Sequence, residues 1–471
     1  MRREMRSMMK KLIGDKAFYK MVLTVAVPMI IQNGITNFVG LLDNIMVGRI
    51  GTEQMSGIAI VNQLLLVFNL AIFGAVSGAG IFGAQYFGCK DYKGVRNTFR
   101  FKLYICLGIT VVGGLIFHFW DADLIMLYLH EEQGTLALGS TLEYGRSYLA
   151  VMLFGLLPFC VEASYTSTVR ECGETVISMM AGVVAVFVNL ILNYLLIFGK
   201  MGLPALGVVG AALATVISRY VQMFIVLIWT HLHQEKMQFI AGAYKKLSIP
   251  GNLVWKIVVK GTPLMINEIL WAAGMASLMQ CYSVRGLDVV AGMNISNTIV
   301  DLFNIVFMAM GTVVSIVVGQ LLGAGKMEEA MDTDVKLIAF SVFTSTVIGA
   351  ILFALAPLFP QIYNTEDSVK QLATSFIQVG AICMPMHAFM HSSYFTLRSG
   401  GKTVITFLFD SVYLWVLSMP IAYVLSRFTP MPIVPLYLCV NLVNIIKCIL
   451  GFILVKKGVW INNIVSDKAA G

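Results

Sequence analysis

Charge is scarce in this chain. Only 12% of its 471 residues are Asp, Glu, Lys or Arg, against 58% that are apolar. A water-facing globular surface needs roughly twice that charge, so a soluble enzyme or scaffold is excluded. Regular apolar/polar alternation in short segments is missing, which excludes a transmembrane barrel. The eight cysteines (Cys89, Cys106, Cys160, Cys172, Cys281, Cys383, Cys439 and Cys448) form no CxxC and no outer-loop cluster. They read as small core residues, neither disulfides nor zinc ligands. No small-residue cleavage site follows the basic start, so no removable signal peptide is expected. Gly78-x-Gly80-x-x-Gly83 lies in an apolar stretch with no strand before it, and Gly401-Lys402-Thr403 has Thr396 where the first glycine of a phosphate loop belongs. Neither supports a nucleotide, and no cofactor is expected. The Asn294-Ile295-Ser296 sequon falls in or beside an apolar stretch, out of reach of glycosylation.

What is present is length without charge. Twelve apolar stretches are centred near residues 30, 68, 109, 152, 186, 217, 268, 305, 347, 382, 414 and 443, each about the ~20 residues a bilayer-spanning helix requires. Backbone polar groups in lipid must be satisfied within the segment, so continuous apolarity means helix.

The chain also repeats itself. A shift of 235 places brings Pro28 onto Pro263, Gly51 onto Gly286, Gly57 onto Gly292, Phe68-Asn69 onto Phe303-Asn304, Gln85 onto Gln320 and Gly88 onto Gly323. A shift of 228 brings Arg170, Gly173 and Thr175 onto Arg398, Gly401 and Thr403, as if the second copy had lost seven residues from a loop. Six spans per copy start both copies on the same side, which makes the repeats parallel. The fold class is an all-α membrane protein of twelve transmembrane helices in two parallel six-helix repeats forming two lobes. Transporters so built bind between halves that rock against each other. The expected divisions are an N-terminal segment 1–19, a first lobe 20–230, a linker 231–253, a second lobe 254–456 and a tail 457–471.

Orientation follows from the basic residues. One side collects Arg2, Arg3, Arg6, Lys10, Lys11, Lys16, Lys20, Lys90, Lys93, Arg96, Arg100, Lys102, Arg170, Lys236, Lys245, Lys246, Lys256, Lys260, Lys326, Lys336, Arg398, Lys402, Lys456, Lys457 and Lys468. The other holds Arg49, Arg146, Lys200, Arg285, Lys370 and Arg427. By the positive-inside rule both termini are cytoplasmic, and the chain is a multi-pass protein of the plasma (inner) membrane. The net charge of +8 is then a topology signal and not a nucleic-acid footprint.

Ionisable groups inside spans are costly there and are functional candidates for that reason. Asp43 stands first, late in the first span, with Asn33, Thr36 and Asn37 at positions that helical periodicity aligns with it. A carboxyl held out of water can take up and release a proton near neutral pH; the alternative is a structural hydrogen-bond acceptor near the outer interface. Glu268, five residues beyond Pro263 and next to Asn267, either binds a cation or proton, anchors a cationic substrate, or completes an ion pair. Asn189 and Asn193, at i and i+4, share one face of the fifth span and can offer neutral oxygens beside Asp43 or bind helices together. Glu162, preceding Arg170 in the fourth span, and Asp301 in the eighth are each either cavity-lining or structurally paired. Asp410 and Lys447 read as a structural ion pair. His387 and His391 have metal-compatible i, i+4 spacing but no third ligand nearby, and titration of His387 is the better use. No metal is expected. The 28 methionines suit an adaptable apolar cavity as well as ordinary core. Gly74-x-x-x-Gly78 and Gly319-x-x-x-Gly323 permit close helix packing.

Several blocks, in consistent order over about residues 15 to 457, resemble the multidrug and toxic compound extrusion transporters. They are Asp43-Asn44-Ile45-Met46-Val47-Gly48, Gly83-Ala84-Gln85-Tyr86-Phe87-Gly88, Gly319-Gln320-Leu321-Leu322-Gly323-Ala324-Gly325, Arg170-x-x-Gly173-x-Thr175 and Asn189-x-x-x-Asn193-Tyr194. The resemblance implies a V of two six-helix lobes that exports organic cations or amphipathic compounds in exchange for inward Na⁺ or H⁺. It implies that Asp43 is the first-span acid linked to substrate release, that Asn189 and Asn193 are the fifth-span pair, and that Glu268 is the seventh-span acid. Part of the family has Asp where Asn193 stands, which weakens a complete first-lobe cation site, and many sodium-coupled relatives have Asp in the tenth span where His387 stands, a departure that counts against a second-lobe sodium site and favours a proton. The remaining alternatives are a lipid-linked saccharide flippase, which calls for a more basic cavity than Lys447 and Arg219 provide, and a membrane receptor or channel. Expected partners are small organic cations or amphipathic compounds and the lipid bilayer, with no nucleic acid and no nucleotide.

Overall fold

A computed structural model describes residues 12–49, 51–128, 135–246, 248–363 and 365–466, without the side chains of 41, 43–45, 52 and 135–138. Among the described residues there are helices and turns and no strand. Twelve long helices are present: α1 Lys16–Gly48, α2 Thr52–Gly88, α3 Tyr92–Phe119, α4 Gly139–Glu171, α5 Val176–Phe198, α6 Gly207–Leu232, α7 Gly251–Ser283, α8 Leu287–Gly323, α9 Met327–Leu355, α10 Asp367–Ser399, α11 Thr403–Phe428 and α12 Ile433–Lys456. Eleven are long and apolar enough to cross a bilayer. The twelfth, α7, matches α1 in length at 33 residues but carries Lys256, Lys260, Asn267 and Glu268 where α1 has Met21, Val25, Gln32 and Asn33.

The duplication is written in the backbone. The first and last residues of α1 and α2, and the start of α3, shifted by 235, are those of α7, α8 and α9. Conformations that favour glycine recur at corresponding places: Gly51 and Gly286 have φ of 154° and 124°, and Gly173 and Gly401 have 88° and 70°. Lys90 takes φ 60° where its counterpart Gly325 takes 75°. Pro28 and Pro263 each lie within a helix.

The compact units and the sequence copies do not coincide. One unit comprises Ile31–Gly83 and Asp91–Val258; the other holds the stretch ending at Ile30, then Ala84–Lys90 and Val259–Gly471. In the second unit Val22, Val25, Ala26 and Met29 of α1 join an apolar cluster with Val313, Val314, Leu322 and Leu397. The end of α2 is held there by glycines. A Cβ on Gly88 would overlap the Gln320 carbonyl oxygen, and one on Gly323 would overlap that of Gln85. These are the same two positions of each copy, meeting reciprocally. The Gly319-x-x-x-Gly323 pair therefore does pack closely, with Ala84 against Gly319.

The segment after α12 folds back over these ends. Trp460 is fully buried and donates to Val455 O at 3.1 Å. Buried Gln85 accepts from Ile464 N at 2.8 Å and donates to Ser399 O at 3.0 Å and Asn462 O at 3.1 Å. In the first unit, the turns after α6 are held against α3 by two of the basic residues that mark topology in the sequence. Arg96 Nε donates to Phe239 O at 2.9 Å, and Arg100 Nε donates to Ala243 O at 2.6 Å. His231 and Tyr244 stack there, and the Tyr244 and Tyr165 hydroxyls bond to each other.

Candidate functional site

The second unit contains a dense polar network. Its frame is set where α11 departs from α-helical winding, in π-helical turns at Leu408–Val412 and Leu414–Ser418. Such turns widen the backbone and recur at functional positions, and Asp410 sits in the first. Buried Asn267 of α7 supplies what the widened turn lacks. Its Oδ1 accepts from Ser411 N at 3.2 Å and Ser411 Oγ at 2.7 Å, and its Nδ2 donates to Asp410 Oδ2 at 3.1 Å. Trp415 Nε1 donates to Leu270 O at 2.9 Å. The other Asp410 oxygen accepts from Lys447 Nζ of α12 at 2.6 Å. Asp410 and Lys447 thus form the ion pair that the sequence suggested.

Glu268 joins through Tyr394 of α10, whose hydroxyl donates to Glu268 Oε1 at 3.3 Å and lies 3.4 Å from Asn267 Nδ2. Arg398 is buried one turn further along α10, within electrostatic reach of Glu268, and its Nε and Nη1 have no hydrogen-bond partner. Two carboxylates, an ammonium, a guanidinium, a phenol and an amide thus share one interior site. Low dielectric strengthens every pairing among them and penalises every unpaired group.

The two histidines do not converge. His387 lies near Asn441 of α12, with Lys447 in electrostatic reach. His391 turns to α8, near the Met308 backbone, with its ring centre 5.5 Å from that of Phe307. Gly311 makes room, since a Cβ there would lie 2.6 Å from His391 Nε2. Asp301 is exposed on α8, near Asn304.

The first unit builds its polar sites differently. Asn189 and Asn193 are both buried on α5; Asn193 Nδ2 donates to Asn189 Oδ1 at 3.1 Å, and Asn189 Nδ2 donates to Thr215 Oγ1 of α6 at 3.3 Å. The side chain of Asp43 lies outside the described residues. Asn33 is half-buried on α1, while Thr36 and Asn37 are exposed. Glu162 Oε1 accepts from Thr166 Oγ1 at 2.6 Å and from Gln222 Nε2 of α6 at 3.0 Å. Arg170 Nη2 donates to Gln32 Oε1 at 2.8 Å. Arg219 lies over the Phe159 ring at 5.0 Å and donates to Gly155 O.

Corresponding positions explain this pattern. At shifts of 235 and 228, Gln32 answers to Asn267, Asn33 to Glu268, Arg170 to Arg398, Gly182 to Asp410 and Arg219 to Lys447. A Cβ on Gly182 would lie 2.6 Å from Gln32 Nε2, so Gln32 meets a glycine where Asn267 meets a carboxylate. At these positions the first copy carries two cations and no carboxylate, and the second carries two cations balanced by two carboxylates.

Sequence reasoning missed the strongest pair of the first unit. Lys102, read as a loop residue, is fully buried in α3, with Nζ 2.6 Å from both Glu171 oxygens and 3.1 and 3.2 Å from Ser167 Oγ and Thr168 Oγ1. The glycine motif of α2 serves this pair: a Cβ on Gly80 or Gly83 would collide with the Glu171 carboxylate. Asp334 of α9, also missed, is fully buried and accepts from Thr396 Oγ1 at 2.6 Å. Basic residues within helices are therefore more numerous than Lys447 and Arg219, and include Arg100, Lys102, Arg170 and Arg398. Among the described residues no three His, Cys, Asp or Glu side chains gather as metal ligands.

The family model MatE matches residues 28–195 and 263–424, one match in each copy. The chain belongs to this family of transporters, the MATE family. The match accounts for the all-helical, twice-repeated, multi-pass architecture. Among relatives, the probable multidrug resistance protein NorM of Thermotoga maritima is 22% identical over 409 residues, covering 87% of this chain and 86% of that protein. The probable multidrug resistance protein YoeA of Bacillus subtilis is 22% identical over 418 residues, covering 86% and 87%. Among solved structures, an outward-facing multidrug resistance MATE transporter of the MOP superfamily matches with a TM-score of 0.84 at 18% identity, over 95% of this chain and 97% of that one. A MOP superfamily transporter from Pyrococcus furiosus, described as having a binding pocket of reverse polarity, matches at 0.81 and 19% identity over the same shares.

Proposed function

We propose that this MATE protein is a secondary antiporter of the plasma membrane, with both termini cytoplasmic, that exports organic cations or amphipathic drugs in exchange for inward H⁺ or Na⁺ by alternating access between its two lobes. The carrying observation is that the family match covers both copies and that the second unit holds Glu268 and Asp410 in one interior network. Relatives named as multidrug resistance proteins support drug-like substrates. The proton is favoured over sodium by His387, a nitrogen group near Asn441, at the position where the resemblance leads one to look for a carboxylate. Lys447 already compensates Asp410, which further reduces the demand for a metal ion.

The energetics suffice without nucleotide. Moving one charge through 100 mV is worth about 2.3 kcal/mol, and a tenfold ion gradient adds ~1.4 kcal/mol. Under tight one-for-one exchange the potential cancels for a monovalent cation, which one coupling ion concentrates about tenfold, whereas an uncharged amphipathic compound draws on both terms and reaches several hundredfold. The test is efflux of a fluorescent organic cation from proteoliposomes under separately imposed pH and Na⁺ gradients. Efflux driven by either gradient supports the antiporter and names the ion. Correctly inserted protein that responds to neither refutes it and turns attention to a lipid-linked saccharide, for which the additional basic residues in the helices give some ground.

A further inference from the structure

The Lys447 side chain crosses from α12 to α11 and ends in a small, well-defined surround. Its ammonium lies 2.6 Å from Asp410 Oδ1, 5.1 Å from the Phe409 ring centre and 5.9 Å from that of Tyr413. Each wall has its own anchor. Asn267 holds the second Asp410 oxygen, and the Tyr413 hydroxyl donates to Val443 O at 2.7 Å. Phe409 is buried in the apolar cluster of the unit. None of these anchors involves the ammonium.

A carboxylate between aromatic faces is the chemistry that recognises an organic ammonium. Hard metal ions ask instead for a shell of oxygens, and two ring faces supply none. The side chains of Lys447 and Asp410 keep 12% and 17% of their surface exposed, so the site opens to the outside of the packed interior. A lysine stem is flexible and its head is a compact point charge, able to withdraw where a guanidinium fork would resist.

We propose that Asp410, Phe409 and Tyr413 form an alkylammonium-binding site that Lys447 occupies from within as a tethered competitor. This rests on the export reading and gives it a subsite: the amine of an amphipathic cation displaces Lys447 from Asp410. A tethered group acts at high effective concentration. A bare small amine therefore loses to Lys447, and only a cation with an apolar body that gains contact elsewhere displaces it.

The test is thermal unfolding of the full-length protein in detergent. Lys447→Ala deletes the stem and charge, and n-butylammonium chloride restores both in trans; sodium chloride and n-butanol serve as the cation and neutral controls. The expected result is a Tm below wild type that rises saturably with butylammonium and recovers most of the loss. Neither control should raise it, and wild type and Lys447→Ala/Asp410→Asn should not respond. Lys447→Met with methylammonium repeats the test if the alanine variant does not yield folded protein. An equal response in wild type or in the double variant, sodium as effective as the amine, or no saturable response overturns the site. The assay reads binding without transport, so butylammonium rescue together with absent efflux would refute export alone, and intact efflux without rescue would refute the site alone.

Discussion

Replacing Lys102 by Met should destabilise the first unit more than most single substitutions do. Both Glu171 oxygens lie 2.6 Å from Lys102 Nζ, with side-chain exposures of 0% and 9% for the lysine and the glutamate. At an effective dielectric of about 20, unit charges that close attract by roughly 6 kcal/mol, and most of that is cancelled by the cost of removing both from water. What the single substitution exposes is the Glu171 carboxylate without its lysine, lodged beside Gly80 and Gly83. The expected loss is about 3–5 kcal/mol, a fall in Tm on the order of 10 °C for a unit of this size. The double variant Lys102→Met/Glu171→Met buries no charge and should recover most of the loss. Thermal unfolding of wild type, both single variants and the double variant in one detergent checks the cycle. Strictly additive losses would refute the reasoning, because they would mean that the two groups are not electrostatically coupled.

Two further stability predictions follow from the second unit. Gly88→Ala should cost about 1–3 kcal/mol or more, because its Cβ meets a carbonyl oxygen of α8 that no rotamer change can move; Gly108→Ala, which meets nothing within 4 Å, should cost nothing in the same unfolding assay. Asn267→Leu should cost about 1–3 kcal/mol for each group it strands, since Ser411 N and Asp410 Oδ2 both lose a partner. Asn267→Gln should not restore wild-type stability, because its amide is displaced by one methylene.

The helices and the duplication were legible because they rest on bulk properties. A run of apolar residues long enough to cross a bilayer has few alternatives, and a constant shift that aligns Pro, Gly, Gln and Arg survives divergence elsewhere. The Asp410–Lys447 pair was also legible, as two opposite charges in adjacent spans with no other counter-ion at hand. Lys102 was not, since the rule that makes basic residues mark loops also hides one that folds into a helix to meet Glu171. The glycine motif of α2 misled in an instructive way: its spacing mimics a phosphate turn, but the glycines admit a carboxylate from α4. Nothing local in Leu408–Ser418 announces π-helical winding; its Ser411 backbone N–H is accepted by Asn267, more than 130 residues away in sequence. The reciprocal crossing of Gly88 and Gly323 was implicit in the repeat, but only the backbone shows that equivalent positions meet.

Ion-coupled export is proposed from the family match and the Glu268–Asp410 network, and the resemblance implies that the first-span acid Asp43 carries the coupling. It is tested most directly by gradient-driven efflux of a fluorescent organic cation from proteoliposomes containing wild type or Asp43→Asn. The account predicts that wild type responds to an inward H⁺ or Na⁺ gradient and that Asp43→Asn, folded and inserted to the same extent, does not. Unchanged gradient-driven efflux by the variant would contradict it.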